Sequence, residues 1–187
     1  MEFFTLITGV LFLILEIRQH NWMWILQAVS GAASVIVFYN QGLYASMILN
    51  LYYVVIALWG FMSWKRDSAD VSKGKIHLRA LTLPVVLWSV LIQIVGTLAL
   101  MWVLRITGDP MSGLDAATSV LAIIATWWLG KSYKEQWFLW ILCNILVVVM
   151  CASQQMWWMT ALYVFYTLSS VYGYIHWKKE GCYQKEV

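Results

Sequence analysis

In the stretch QWFLWILCNILVV, residues 136–148, two tryptophans and an asparagine stand at i, i+3 and i+7. That spacing puts Trp137, Trp140 and Asn144 on one face of a helix. An indole face attracts cations, for about 0.5–2 kcal/mol per good contact. A primary amide adds donors and an acceptor that satisfy ring nitrogens or hydroxyls in either sense. Together they suit a flat heteroaromatic ligand, above all a cationic one. Trp24, Gln27 and Gly31 repeat the spacing earlier in the chain; Asn50 and Tyr53 stand three apart in the next segment, and Tyr163 and Tyr166 stand three apart later. The candidate substrate-binding set is therefore Trp24, Gln27, Asn50, Tyr53, Trp137, Trp140, Asn144, Tyr163 and Tyr166.

The elements that must hold these residues are membrane helices. Of the 187 residues 62% are apolar and 11% charged, with a mean hydropathy of +0.72, far from a soluble domain. Asn21–Trp64, Ala80–Leu104 and, His176 aside, Gln136–Trp177 contain no charged side chain. A helix needs roughly 20 apolar residues to cross ~30 Å of hydrocarbon. The two longest runs therefore each fold back once, at Asn40-Gln41-Gly42 and at Ser153-Gln154-Gln155. Seven helices are predicted, over 2–18, 22–39, 43–64, 80–104, 113–130, 136–152 and 156–177. They read as α-helical because lipid leaves no other way to satisfy the backbone and the segments lack the alternation of barrel strands. The first carries no basic leader or cleavage site and reads as a retained helix. Asp109-Pro110 breaks the chain before the fifth helix, which Ser112 and Asp115 start as a capping box.

Eleven of the twelve basic residues (Arg18, Lys65, Arg66, Lys73, Lys75, Arg79, Lys131, Lys134, Lys178, Lys179 and Lys185) fall on one side of a seven-span chain, with only Arg105 opposite. The positive-inside rule makes that side cytoplasmic, so the N-terminus faces out and the C-terminus in. A shift of 113 residues lays Trp24–Arg66 on Trp137–Lys179, with Trp24/Trp137, Gln41/Gln154, Tyr53/Tyr166, Gly60/Gly173 and Trp64/Trp177 among nine identities in 43 positions. Four spans separate equivalent helices, so the copies run parallel: a 3+1+3 plan with repeats over 1–66 and 111–187 and a linker over 67–110 holding the fourth helix. Parallel repeats are one way to build a transporter, with substrate held near mid-membrane at the repeat interface. Helix 6 then faces the first repeat, and Asn50 is the expected counterpart of Asn144.

Other roles compete for these residue types. Asn and Gln in membrane helices often only bond a neighbouring helix, for about a kcal/mol or less, and Trp and Tyr gather at interfaces as anchors. Anchoring is the reading for Trp22, Trp64, Trp102, Trp157, Trp158 and Trp177, near segment ends. Trp137 is close enough to the surface to guard an exit. Glu16, at the cytoplasmic end of the first helix, is placed either to help a cation leave or to pair in solvent with Arg18 or lysines, the favoured reading, and Cys143, Cys151 and Cys182 read as ordinary small apolar residues. No phosphate loop, nucleophile elbow or metal-binding histidine pair is present. His20, His77 and His176 are scattered through connections, and no chain of buried acids suggests a proton relay. Enzyme chemistry, a resident cofactor and a metal site are therefore not expected, and passive movement down a gradient is the simplest mechanism.

Trp137, Trp140 and Asn144 match the W-x-x-W-x-x-x-N/D pattern of the PnuC family of bacterial vitamin transporters, which the chain resembles over most of its length. Leu43-Tyr44-Ala45-Ser46 through Asn50, Tyr52 and Tyr53 to Trp59-Gly60 and Trp64 resembles that family's third helix, and Leu114-Asp115 through Lys131 to Trp137 its fifth and sixth. The resemblance implies an all-α, seven-helix membrane fold related to the SWEET sugar transporters. It also implies a homotrimer in the bacterial inner membrane, facilitated diffusion, and a cytoplasmic kinase that traps the product. Within the family the compact chain and Asn50-x-Tyr52-Tyr53 are most like the thiamine-carrying PnuT branch, so thiamine is the expected substrate and nicotinamide riboside the alternative. Gln27 and Gly31 depart from the second repeat's Trp and Asn.

Overall fold

The computed structural model describes residues 2–40, 44–67, 76–106 and 112–183. Among them seven helices form: α1 (Glu2–Ile17), α2 (Trp22–Asn40), α3 (Tyr44–Asp67), α4 (Leu83–Ile106), α5 (Ser112–Gly130), α6 (Gln136–Ser153) and α7 (Trp157–Glu180). All lie within a few residues of the expected bounds. The long helices α3 and α7 run on through their terminal lysines, cations that suit the negative end of the helix dipole. Pro84 is tolerated because it falls in the first turn of α4. The expected turn residues Gln41-Gly42, the break at Asp109-Pro110 and the side chain of Ser112 lie outside the described residues.

Among the described residues four stretches are long and apolar enough to cross a membrane: Met47–Arg66 of α3, all of α4, Gly113–Gly130 of α5 and all of α6. α2 adds a shorter apolar stretch, Trp22–Val37. α7 is more polar, with four tyrosines and several hydroxyls. The Thr160, Thr167 and Ser170 hydroxyls donate to the carbonyls of Met156, Tyr163 and Tyr166, one turn back, at 3.0, 2.8 and 2.8 Å. These hydroxyls are thus satisfied inside the helix.

Two short strands were not foreseen: β1 (Ile76–Leu78) and β2 (Gly181–Tyr183) pair in parallel, with Ile76, His77 and Leu78 opposite Gly181, Cys182 and Tyr183. Glu16 also departs from expectation, since its side chain is buried.

Two compact units emerge. The first takes in residues 1–78, 130–132 and 180–187 and the second residues 79–129 and 133–179. In the first, α2 and α3 pack closely. The core of the second is Val120, Ile124, Trp128 and Tyr133, with Val85, Val86, Leu100 and Leu139 against it. Some polar groups in this unit pair across helices: Trp128 Nε1 donates to Ser89 Oγ at 3.0 Å, and Gln93 Nε2 donates to Thr97 Oγ1 and the Ala117 carbonyl. Gly96 admits Val120 to close range. In the α5–α6 connection burial raises the Tyr133 phenol above its ordinary pKa, against a smaller opposing pull from Arg79.

Candidate functional site

In the first unit Trp24, near the start of α2, is fully buried, with its ring lying over Gly60 of α3. A Cβ on Gly60 would come within 2.6 Å of the indole, so glycine is what allows the two helices this approach. Trp64, one turn further along α3, meets the same ring edge-on at 5.1 Å and 77°. Gln27 follows one turn after Trp24, half-buried, and its Oε1 has no hydrogen-bond partner within the protein. Gly31 then abuts α3, where a Cβ would stand 2.9 Å from Val54 Cγ2 and 3.4 Å from the Asn50 carbonyl. Asn50 and Tyr53 are half-buried on α3, and Tyr53 is edge-on to Tyr52 at 5.5 Å.

The second unit repeats this with other polar groups. Trp137 is fully buried over Gly173, again 2.6 Å from where a Cβ would be, and Trp177 meets it edge-on at 5.6 Å and 89°. One turn on, Trp140 is half-buried, and its Nε1 is enclosed with no acceptor in the protein. Asn144 is buried and donates from Nδ2 to Ser170 Oγ at 3.4 Å, a long bond to a hydroxyl that itself donates to the Tyr166 carbonyl. Tyr163 and Tyr166 stand edge-on at 5.7 Å and 89°.

Expectation and structure part company over the tryptophans. Trp64 and Trp177 are not interface anchors: both are fully buried, each closing a Trp–Gly–Trp clamp. The other four are exposed, as anchors must be: Trp22, Trp102, Trp157 and Trp158. Trp137 likewise sits inside its clamp rather than at a surface. Ser170 was missed. The signal for it was a Ser-Ser pair amid apolar residues, four after Tyr166.

Unsatisfied buried groups recur at equivalent places, beginning with Trp24 Nε1 and Trp137 Nε1 inside the clamps. Gln27 Oε1 and Trp140 Nε1 lie 113 residues apart, each one turn beyond its clamp tryptophan, each shut off from solvent without a partner. A buried polar group left unpaired costs about 1–3 kcal/mol. Within either unit such a group, next to aromatic faces, can be met by a small ligand bearing a complementary group. No group of His, Cys, Asp or Glu among the described residues is arranged to hold a metal ion.

A model of the nicotinamide mononucleotide transporter family matches residues 1–179. The nicotinamide riboside transporter PnuC of Neisseria mucosa is 31% identical over 185 residues, covering 92% of this chain and 70% of that protein. The riboflavin/roseoflavin transporter RibM of Streptomyces davaonensis is 26% identical over 180 residues, covering 91% and 81%. The crystal structure of the vitamin B3 transporter PnuC superposes with a TM-score of 0.67, at 31% identity over 93% of this chain and 78% of that one.

Proposed function

The chain belongs to the nicotinamide mononucleotide transporter family, which includes the PnuC vitamin transporters and whose members are multi-pass membrane transporters and not enzymes. From that premise we propose that it takes up nicotinamide riboside into the bacterial cytoplasm by facilitated diffusion. The thiamine expected from the third helix gives way here, because the relatives described above are named for nicotinamide riboside, vitamin B3 and riboflavin.

The observation that supports the reading is that each unit, taken by itself, holds an unsatisfied buried group one turn beyond its clamp tryptophan, Gln27 Oε1 in the first and Trp140 Nε1 in the second. Nicotinamide riboside is a pyridinium bearing a carboxamide and ribose hydroxyls. Its N–H and O–H groups suit the Gln27 acceptor, its carbonyl or hydroxyl oxygens suit the Trp140 donor, and its cationic ring suits an indole or phenol face. Asn144, Asn50, Tyr53, Tyr163 and Tyr166 complete the proposed set, while Trp24 and Trp137 act from within the clamps by holding Gln27 and Trp140 in place. With no acid in this set, the substrate keeps its own charge. The membrane potential then favours entry by about 2.3 kcal/mol per 100 mV.

The proposed architecture is two parallel three-helix repeats, over 1–66 and 111–187, joined by 67–110 with α4, in the SWEET manner. The N-terminus lies outside and the basic side faces the cytoplasm, in a homotrimer, with a cytoplasmic kinase trapping the product. Titration calorimetry of the purified protein with nicotinamide riboside and with thiamine tests the substrate. The riboside should bind and thiamine should not; binding of thiamine alone overturns the reading.

A further inference from the structure

Helix parity puts the α1–α2 connection, the α3–α4 connection, the α5–α6 connection and the segment after α7 on one side, the side that carries eleven of the twelve basic residues. One side chain and one strand pair join all four. Gln19, in the first connection, donates from Nε2 to the His77 carbonyl at 2.9 Å and to Ser132 Oγ at 3.2 Å, and its Oε1 accepts the His77 N–H at 2.8 Å. His77 lies in β1, and Ser132 lies in the α5–α6 connection. A strand residue turns its N–H and C=O to the same edge. Gln19 therefore closes one edge of β1 while β2, directly after α7, pairs along the other. The His77 ring is buried edge-on to Trp64 at 5.9 Å, and Ser132 is fully buried. All these residues belong to the first compact unit, although Ser132 and β2 come from the second half of the sequence.

Gln19 and Ser132 are themselves equivalent, 113 residues apart, and both have left-handed backbone, φ 50° and 60°. Each follows a helix closed by a Schellman turn: Gln19 N–H donates to the Glu16 carbonyl and His20 N–H to that of Leu15, and Tyr133 N–H to that of Trp128. Glycine is the usual residue there, because a side chain strains this conformation. At both positions the side chain is instead put to use, one bonding the other. The knot therefore combines strained backbone, part-buried hydrogen bonds through a single side chain, and a three-residue strand pair that is marginal alone. Such elements open on microsecond to millisecond times without disturbing a packed core.

We propose that this knot is a latch on the basic face, and that Gln19 must release His77 and Ser132 for substrate to leave on that side. The proposal rests on the transport reading above.

Two experiments test it. In Gln19→Gly the backbone strain is relieved and the amide removed. Hydrogen exchange over Ile76–Leu78 should then accelerate at least tenfold, with α2 and α3 unchanged; unaltered exchange overturns the latch. In a Gln19→Cys/Ser132→Cys/Cys182→Ser protein in liposomes, a short reducible bis-maleimide should stop uptake of nicotinamide riboside, or of thiamine should the titration select it. Binding should persist, and reduction should restore uptake in the same sample. Cross-linked protein that transports at its uncross-linked rate overturns the proposal. Should neither vitamin bind, the transport reading fails, and the exchange experiment still reports on the knot.

Discussion

The α2–α3 pair and the α6–α7 pair close in the same way and differ in what they offer beside the closure. Each seats a tryptophan on a glycine and braces it edge-on with a second tryptophan, Trp24–Gly60–Trp64 in one and Trp137–Gly173–Trp177 in the other. One turn further along, the first offers Gln27, then Gly31, with Ala57 where the second has Ser170; the second offers Trp140, then Asn144. The shared part is apolar and dictated by shape, and the divergent part is polar. A repeated scaffold can thus keep its packing fixed while its two copies carry different hydrogen-bonding groups.

The largest expected effect tests the shared part. Gly60→Ala and Gly173→Ala each place a Cβ 2.6 Å from an indole, and overpacking of that kind costs about 1–3 kcal/mol. Both variants should lose thermal stability in detergent by similar amounts, read by tryptophan fluorescence. A large loss in one and none in the other would break the equivalence of the clamps. Next comes the divergent part. Trp140→Phe and Gln27→Leu remove one unsatisfied group each, and each should weaken riboside binding about tenfold, or about 1.4 kcal/mol, with no loss of stability in the unliganded protein. Unchanged affinity in both would remove the observation on which the functional reading stands.

Asn144→Ala sharpens the contrast. Its bond to Ser170 is long and Ser170 keeps the Tyr166 carbonyl, so stability should fall by less than about 1 kcal/mol. A loss of binding well beyond that loss of stability marks Asn144 as a substrate contact; a matched loss marks it as helix glue. The smallest effect belongs to Lys131, whose ammonium lies 5.1 Å over the Trp59 ring. Lys131→Met should cost about 0.5–1 kcal/mol, seen as a small shift in melting temperature that fades at high salt.

Much of this was legible in the residues. Long uncharged runs punctuated by amides fixed the helices to within a few positions, because a membrane allows little else, and the 113-residue shift already paired Gly60 with Gly173 and Trp64 with Trp177. What could not be read was depth. A tryptophan near a helix end has the same local sequence whether it is exposed, as Trp157 is, or packed against a partner helix, as Trp177 is. The clue was the glycine four residues before it, which marks a close helix approach only once a third residue is known to fill the gap. Glu16 was misread for the same reason, and the strand pair was illegible because Ile-His-Leu and Gly-Cys-Tyr are too short to show a period. Within the candidate set, spacing found Gln27 and Trp140, but only coordinates revealed their unsatisfied atoms.

The clamps and the knot also differ in when they can form. The first clamp is complete once Trp64 has been made, whereas β2 lies more than a hundred residues later. At roughly 5–20 residues per second of synthesis, the α2–α3 hairpin has several seconds to close before the strand that completes the knot exists. Completion of the knot therefore waits for the last helix, and a nascent chain arrested before residue 181 should hold its first hairpin shut while the amides of Ile76 and Leu78, which face β2, still exchange freely.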